Sequence, residues 1–454
     1  MLLKEIVKKV PALQYVVENT QVCSSWGRSL LLNQPFLTSA DSLQKNLVRL
    51  TNHLSFLQNE TASRQLVALL HEINDFTQTI QNLKRLQVLD DIEFFEVKKF
   101  ALASQKIRTL LQNCSYEAAP LYDLSKVVDM LDPEGSRIAH FYIYSSYHAD
   151  LETLRKKILQ TDDVNEREQL TWQASQIEDA VRQKLTEMLH PYAESLLSNL
   201  QHIGALDVLN AKAQLSAKWQ LTRPTVATER SCYRGLFHPR MRAELSERGG
   251  KFQSVDIELA SQPCLITGAN MSGKTVLLKS LALSQYMFQF GYFVPAVEAA
   301  IVPVEAVFCV IDDQQTERQG LSSFAAEMLS VNEILLESKR GVRLLALVDE
   351  LARTTNPDEG RRIVGAFITM MQRYRVMSLV TTHYSGIAVS CRRLRVKGLA
   401  TDKITGEVTP QSLNRYMDYT LVETDSDEVP TEALNIARIF LLDDEFLKLA
   451  EEGR

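Results

Sequence analysis

The chain has 454 residues, of which 45% are apolar and 23% charged, and its formal charge is −6. These are ordinary globular values, enough for two or three domains, and they exclude a disordered or fibrous polypeptide. The acidic balance gives no support for a chain-wide nucleic-acid surface, because Lys and Arg must neutralise phosphates. At the N-terminus, MLLKEIVKKV lacks an apolar signal core, so a cytoplasmic protein is expected. The six cysteines (23, 114, 232, 264, 309 and 391) have neither Cys-x-x-Cys nor metal-ligand spacing and read as reduced thiols.

Glycine divides the chain. Only Gly27, Gly135 and Gly204 precede residue 235, and the other glycines follow from Gly235 onward. Glycine costs roughly 1 kcal/mol against alanine inside a helix, so the first half is expected to be nearly all helix. Leu43, Leu47, Leu50, Leu54 and Leu57 recur every three or four residues, as one face of an amphipathic helix does. Residues 146–202 read as two long helices, with Leu151, Leu154 and Ile158 in the first and Ile177, Ala180, Val181, Leu185 and Leu189 in the second. The polar stretch Gln160–Glu166 reads as the hairpin between them. A boundary is expected near 225–235, around Pro224 and Gly235.

Beyond it, short β-rich runs alternate with helical patterns. Strands are expected at 264–267, 307–311, 343–348 and 377–381, and helices at 274–290, 323–338 and 358–375. This alternation predicts a largely parallel sheet covered on both faces. The stretch Tyr292 to Ile311 is apolar but carries Glu298, Glu305, Pro295 and Pro303, so it does not read as a membrane span.

The strongest local signal is Gly268-Ala269-Asn270-Met271-Ser272-Gly273-Lys274-Thr275, a G-x-x-x-x-G-K-[ST] loop between a strand and a helix. Its glycines let successive N–H groups turn toward an anion, and the helix N-terminus adds partial positive charge. Lys274 is suited to reach β- and γ-phosphates and Thr275 to hold Mg²⁺. The apolar run ending at Val348 is followed by Asp349-Glu350, which puts carboxylates at the sheet edge beside that loop. Asp349 is the candidate Mg²⁺ ligand and Glu350 the candidate general base. His383 follows the strand at 377–381 and can meet a γ-phosphate or the attacking water. Gly320-Leu-Ser322-Ser323-Phe324 with Glu327 reads as a helix start with hydroxyl caps, either N-capping alone or with Ser322 a candidate γ-phosphate contact.

With these elements in this order, residues 235–395 resemble the MutS family of ATPases, a branch of the ABC-type nucleotide-binding proteins. The resemblance rests on Asn270-Met271 inside the loop, Gly291-Tyr-Phe-Val-Pro295-Ala296, Ser322-Ser323-Phe324 with Glu327-Met328, Asp349-Glu350 with Arg353-Thr354-Thr355, Thr382-His383-Tyr384 and Phe237-His238-Pro239. Two departures are Gly320-Leu321 for the family's Gly-Arg and Thr354-Thr355 for its Gly-Thr. The resemblance implies an α plus α/β chain: a helical core and lever region (1–228), an ATPase domain with a mainly parallel sheet (229–425) and a helical dimerisation segment (426–454). It further implies a homodimer holding ATP and Mg²⁺, with Gly268 through Val276 cradling the nucleotide. Phe252 would stack on adenine, and Lys274, Thr275, Asp349, Glu350 and His383 would face Ser322 of the other subunit.

Leu131-Asp-Pro-Glu-Gly135 and Leu151-Glu-Thr-Leu-Arg155 resemble the family's core and lever helices. The 130 residues ahead of them read as helices, without the family's mismatch-recognition and connector domains. Phe94-Phe-Glu96 has the form of the family's mismatch wedge but sits in charged helical surroundings. The hairpin at 160–166 has no room for the family's DNA clamp. Two cargoes are therefore open. One is DNA, as in mismatch repair. The other is a protein client, because clampless members resemble the ATPase of a reactivase for adenosylcobalamin-dependent lysine 5,6-aminomutase.

Overall fold

The computed structural model describes residues 1–116, 120–268, 272–311, 323–400, 416–425 and 442–451. The first half is helical: α1 (Leu3–Val7), α2 (Pro11–Asn19), α3 (Ser25–Leu32), α4 (Ala40–Leu57), α5 (Glu60–Leu70), α6 (Thr77–Lys84), α7 (Asp91–Asn113), α8 (Ser125–Leu131), α9 (Ala149–Gln160), α10 (Val164–Leu189) and α11 (Ala193–Trp219). Local chemistry starts several of them. Ser24 and Asn59 accept N–H bonds at the heads of α3 and α5, and Asp90 with Glu93 closes a capping box on α7. The leucine stripe of α4 is buried at Leu43, Leu47 and Leu50.

Helices α9 and α10 form the expected hairpin arm, turning over 161–163, with Asp163 capping α10. The second helix does not run on unbroken to residue 202. It gives way to a 3₁₀ turn at His190–Tyr192 and resumes as α11, because Pro191 lacks an N–H and its ring crowds the preceding turn. Gly204 in mid-α11 is a packing glycine: a Cβ there would lie 2.5 Å from Cδ1 of Trp26.

The second half contains two sheets. Strands β4 (Pro263–Thr267), β6 (Ala306–Val310), β7 (Leu344–Val348), β8 (Met377–Thr382), β9 (Arg392–Leu399) and β10 (Met417–Glu423) form one in the order β10-β9-β4-β8-β7-β6. All its pairs are parallel except β9 with β10. Strands β4, β7 and β8 are buried throughout, which is why they read as continuous apolar runs. After α12 (Pro239–Glu247), helices α13 (Lys274–Gln289), α14 (Ser323–Lys339) and α15 (Pro357–Arg373) flank this sheet. The mainly parallel α/β half after a helical half is the architecture expected. The sequence reading did not include β9, β10, or the second sheet, β1 (Thr225–Val226), β5 (Glu298–Ile301), β2 (Arg230–Leu236) and β3 (Val255–Ala260) in that spatial order.

The expected division at 228/229 falls between β1 and β2 of that second sheet. An apolar core crosses it, running from Leu3, Leu31, Leu43, Leu47 and Leu50 through Leu277, Leu281 and Phe288 to Leu379. A second core binds α5 through the first turns of α11, and a third lies under α15 on the far face of the large sheet. Phe94 is fully buried and packs on Phe141 at 5.1 Å between centroids, so it is unavailable as a wedge. No helix among the described residues is long and apolar enough to cross a membrane.

Because α4 shares its core with α13, Leu47→Ala should cost about 2–5 kcal/mol. Urea unfolding followed by circular dichroism should show one transition at a lower midpoint. A separate early transition, with the sheet domain unaffected, would contradict the shared core.

Candidate nucleotide-binding site

Strand β4 ends at Thr267, the loop follows, and α13 begins at Lys274. Ala269, Asn270 and Met271 lie outside the described residues, as do Leu321 and Ser322. Gly273, at the N-cap of α13, has φ +80, a left-handed conformation that L side chains rarely adopt. Thr267 Oγ1 and Ser272 Oγ are buried without a hydrogen-bond partner among the described residues. Buried hydroxyls are ordinarily satisfied, so their position beside the loop fits an anionic ligand there.

Four of the candidate side chains converge. The Lys274 ammonium is buried, donates to the Gly268 carbonyl at 2.8 Å and lies 3.8 Å from Glu350. Thr275 donates to one Asp349 oxygen at 2.5 Å. The other Asp349 oxygen accepts from Thr381 at 2.6 Å, and Thr381 in turn accepts the Glu350 N–H at 2.9 Å. This follows from the parallel register, in which Val348 faces Val380 and Thr267 faces Thr382, so the ends of β4, β7 and β8 lie side by side. Thr275 and Asp349 together offer the hard oxygen donors that suit Mg²⁺.

The turn after Asp349 is strained, with Glu350 at φ 47 and Ala352 at φ 62. Side chains from other elements hold it. The Ala352 N–H donates to Glu327 of α14 at 3.0 Å, and Tyr384 donates its hydroxyl to the Ala352 carbonyl at 2.6 Å. His383, half-buried, lies just past the end of β8 with its ring 4.3 Å from that of Tyr384. Val276 is half-buried in the first turn of α13. Phe252 is half-buried before β3, next to Gln253, which donates to Asp418 at 3.0 Å and accepts from the Tyr419 N–H at 3.2 Å.

Three contributors were not assigned a role from the sequence. Thr381 and Tyr384 sit inside the Thr-Thr-His-Tyr run already singled out, where a hydroxyl at each flank was the available signal. Tyr419 comes from β10, and a Cβ added to Gly273 would lie 2.9 Å from its Cδ1. No local pattern announces that contact.

Residues 264–452 match the family described as MutS domain V. Over 211 residues the chain is 35% identical to the Endonuclease MutS2 of Pediococcus pentosaceus, covering 46% of this chain and 26% of that protein. It is 32% identical over 213 residues to the Endonuclease MutS2 of Lactiplantibacillus plantarum, covering 46% and 26%. For the Thermus thermophilus protein of the same name the figures are 33% over 192 residues, 42% and 25%. The chain thus spans about a quarter of the length of these relatives.

Gly273→Ala adds a left-handed penalty of roughly 1–2 kcal/mol and drives a methyl toward Tyr419. Nucleotide affinity should fall about tenfold or more, as titration with a fluorescent ATP analogue would show. Unchanged affinity would remove the loop from the binding site.

Proposed function

We propose that the chain, whose residues 264–452 match the family described as MutS domain V, binds ATP and hydrolyses it, as a dimer through this domain, to move its helical arm. The observation that carries this reading is the convergence of Lys274, Thr275, Asp349 and Glu350 around the end of β4. Loop N–H groups and the head of α13 take the β- and γ-phosphates. Lys274, already among acceptors, adds phosphate oxygens to them. Thr275 and Asp349 would hold Mg²⁺, which when bound neutralises charge on the phosphate oxygens.

Glu350 takes a proton from water as the water oxygen bonds to the γ-phosphorus. The bond from that phosphorus to the β,γ-bridging oxygen breaks, releasing ADP and phosphate. Thr381 orients both acids, since its hydroxyl donates to Asp349 and accepts from the Glu350 backbone. His383 hydrogen-bonds the γ-phosphate or the water. Phe252 stacks on adenine, and Ser322 of the partner subunit closes on the γ-phosphate. A homodimer in the cytoplasm belongs to the same reading.

For the cargo, the tip of the arm favours a protein client over a duplex. Leu159, Val164 and Trp172 are 86%, 65% and 65% exposed, and Asp162, Asp163, Glu166 and Glu168 are exposed around the turn. With Lys156, Lys157 and Arg167 also exposed there, the tip is mixed in charge; it has no basic face for a duplex and offers apolar contact instead. This fits the remodelling of an enzyme such as an adenosylcobalamin-dependent aminomutase. Binding of DNA, the family alternative, requires a basic surface elsewhere on the dimer.

Glu350→Gln should slow phosphate release by roughly 10²–10⁴-fold while nucleotide binding persists. Hydrolysis at the wild-type rate would take the base role from Glu350. Duplex DNA at low salt should leave the wild-type rate unchanged. Stimulation that falls steeply as salt rises would establish the DNA reading instead.

A further inference from the structure

A lysine is seldom fully buried without a carboxylate to pair with. Lys212 on α11 is 4% exposed. Its ammonium donates to Gln34 Oε1 at 2.7 Å and to the Phe290 carbonyl at 2.5 Å, and lies 4.3 Å over the Tyr292 ring. All three partners are uncharged. Phe290 is the residue that closes α13, so Lys212 satisfies an orphan helix carbonyl and puts a cation at the negative end of the α13 dipole. The other end of α13 is Lys274, in the phosphate loop. One helix of 16 residues, about 24 Å long, therefore carries a lysine at each end, one facing the nucleotide and one reaching in from α11.

The surroundings make this end of α13 a joint. Gln289 donates to the carbonyls of Leu37 and Val304, both at 2.7 Å, and the Leu37 N–H returns a bond to the Gln289 carbonyl at 2.9 Å. The Thr20 hydroxyl lies 3.2 Å from that of Tyr292. Beyond Lys212, α11 leads back through the Pro191 turn to α10 and the arm.

We propose that Lys212 is a positioning residue that couples the nucleotide end of α13, through α11, to the α9–α10 arm, its ammonium locking the α13 C-terminus and Gln34 to α11. The proposal rests on the ATP-binding reading above.

The charge of the lock depends on pH. Burial, the sole cause acting on it, pushes the Lys212 pKa down to about 7. The groups that face it are Tyr292 after α13, whose hydroxyl burial pushes up, Gln34 between α3 and α4, and Asn46 of α4 against Gly291. Arg28 of α3 acts on Tyr292 rather than on the lysine. Raising the pH through about 7 removes the cation and with it the pull on the ring and on the helix dipole, so coupling weakens. Stability moves the other way. Between about 7 and the ordinary lysine value of 10.5 the unfolded chain binds the proton that the folded chain has lost, so stability rises with pH across that window.

The test uses the full chain, as wild type and Lys212→Met, with a fluorescent ATP analogue for binding and hydrogen exchange of residues 149–189 for the arm. In the wild type, nucleotide should change arm exchange at about pH 6, and the change should shrink toward about pH 8 after correction for intrinsic exchange. In Lys212→Met nucleotide affinity should be unchanged and the arm response lost at both pH values. Lys212→Arg, which keeps the cation, should restore part of it. An arm response of wild-type size in Lys212→Met, or a wild-type response indifferent to pH, overturns the proposal alone. If Lys212→Met does not fold, Gln34→Leu replaces it, and an undiminished response there overturns the proposal equally. A wild type that binds no nucleotide overturns the ATP reading and this proposal with it.

Discussion

Helix α13 has no solvated face: from Leu277 to Gln289 every residue but Lys279 is buried. A helix apolar all round belongs in a core, yet this one also buries Ser280, Ser284, Gln285 and Gln289. The glutamines account for its placement. Gln285 donates to Gln289 at 2.6 Å and to the Val302 carbonyl at 3.0 Å, and Gln289 reaches Leu37 and Val304. Apolar contact is non-directional, whereas a hydrogen bond requires a particular distance and angle. A buried amide left without partners costs about 1–3 kcal/mol, so these bonds set the height and rotation of the helix. The position of Lys274 and Thr275 in the site is inherited from that setting.

The acids at the strand tips are held by a different device. Asp349 is gripped on one oxygen by the phosphate loop's threonine and on the other by a threonine of β8. Neighbouring backbone at Glu350 and Ala352 adopts positive φ, which Thr381, Glu327 and Tyr384 hold from three directions. Strain of this kind persists only where the surroundings over-determine the conformation. Glu350 therefore enters the site pre-oriented, and the hydroxyl of Thr381 ties its position to that of Asp349.

Much of this half was legible in the sequence for reasons that are local. Strands β4, β7 and β8 are covered on both faces, so each is a continuous apolar run ending at a polar residue. The phosphate loop is contiguous, and its spacing alone names Gly273, Lys274 and Thr275. The unread strands are of another kind. Arg230–Leu236 and Arg392–Leu399 alternate buried with exposed residues and carry arginines on the open side, a pattern that short polar segments share. Pro191 was passed over because the apolar period of α10 resumes beyond it. Tyr419 at Gly273 and Gln34 at Lys212 are long-range meetings, and Lys212 in the sequence is one more lysine on a helix.

What α11 does follows from where its residues fall. Leu196, Leu200, Ile203 and Leu206 belong to the core that holds α5 to α10, whereas Val208, Ala213 and Leu215 belong to the core that holds α1 to α4, α13 and both sheets. One helix is thus anchored in both. Packed cores resist deformation, so under the proposed function a relative movement of the two bodies would be taken up along or around this rod. Lys212 lies on the ATPase side of the crossover, where an apolar residue of similar size would be the more stable choice. Its amine sits where the rod meets the end of the phosphate-loop helix, and its hydrogen bonds to Gln34 and Phe290 are directional where apolar contact is not. Under the proposed function direction is what a joint between two bodies needs, because a sliding contact between α13 and α11 would dissipate a nucleotide-driven shift before it reached the arm.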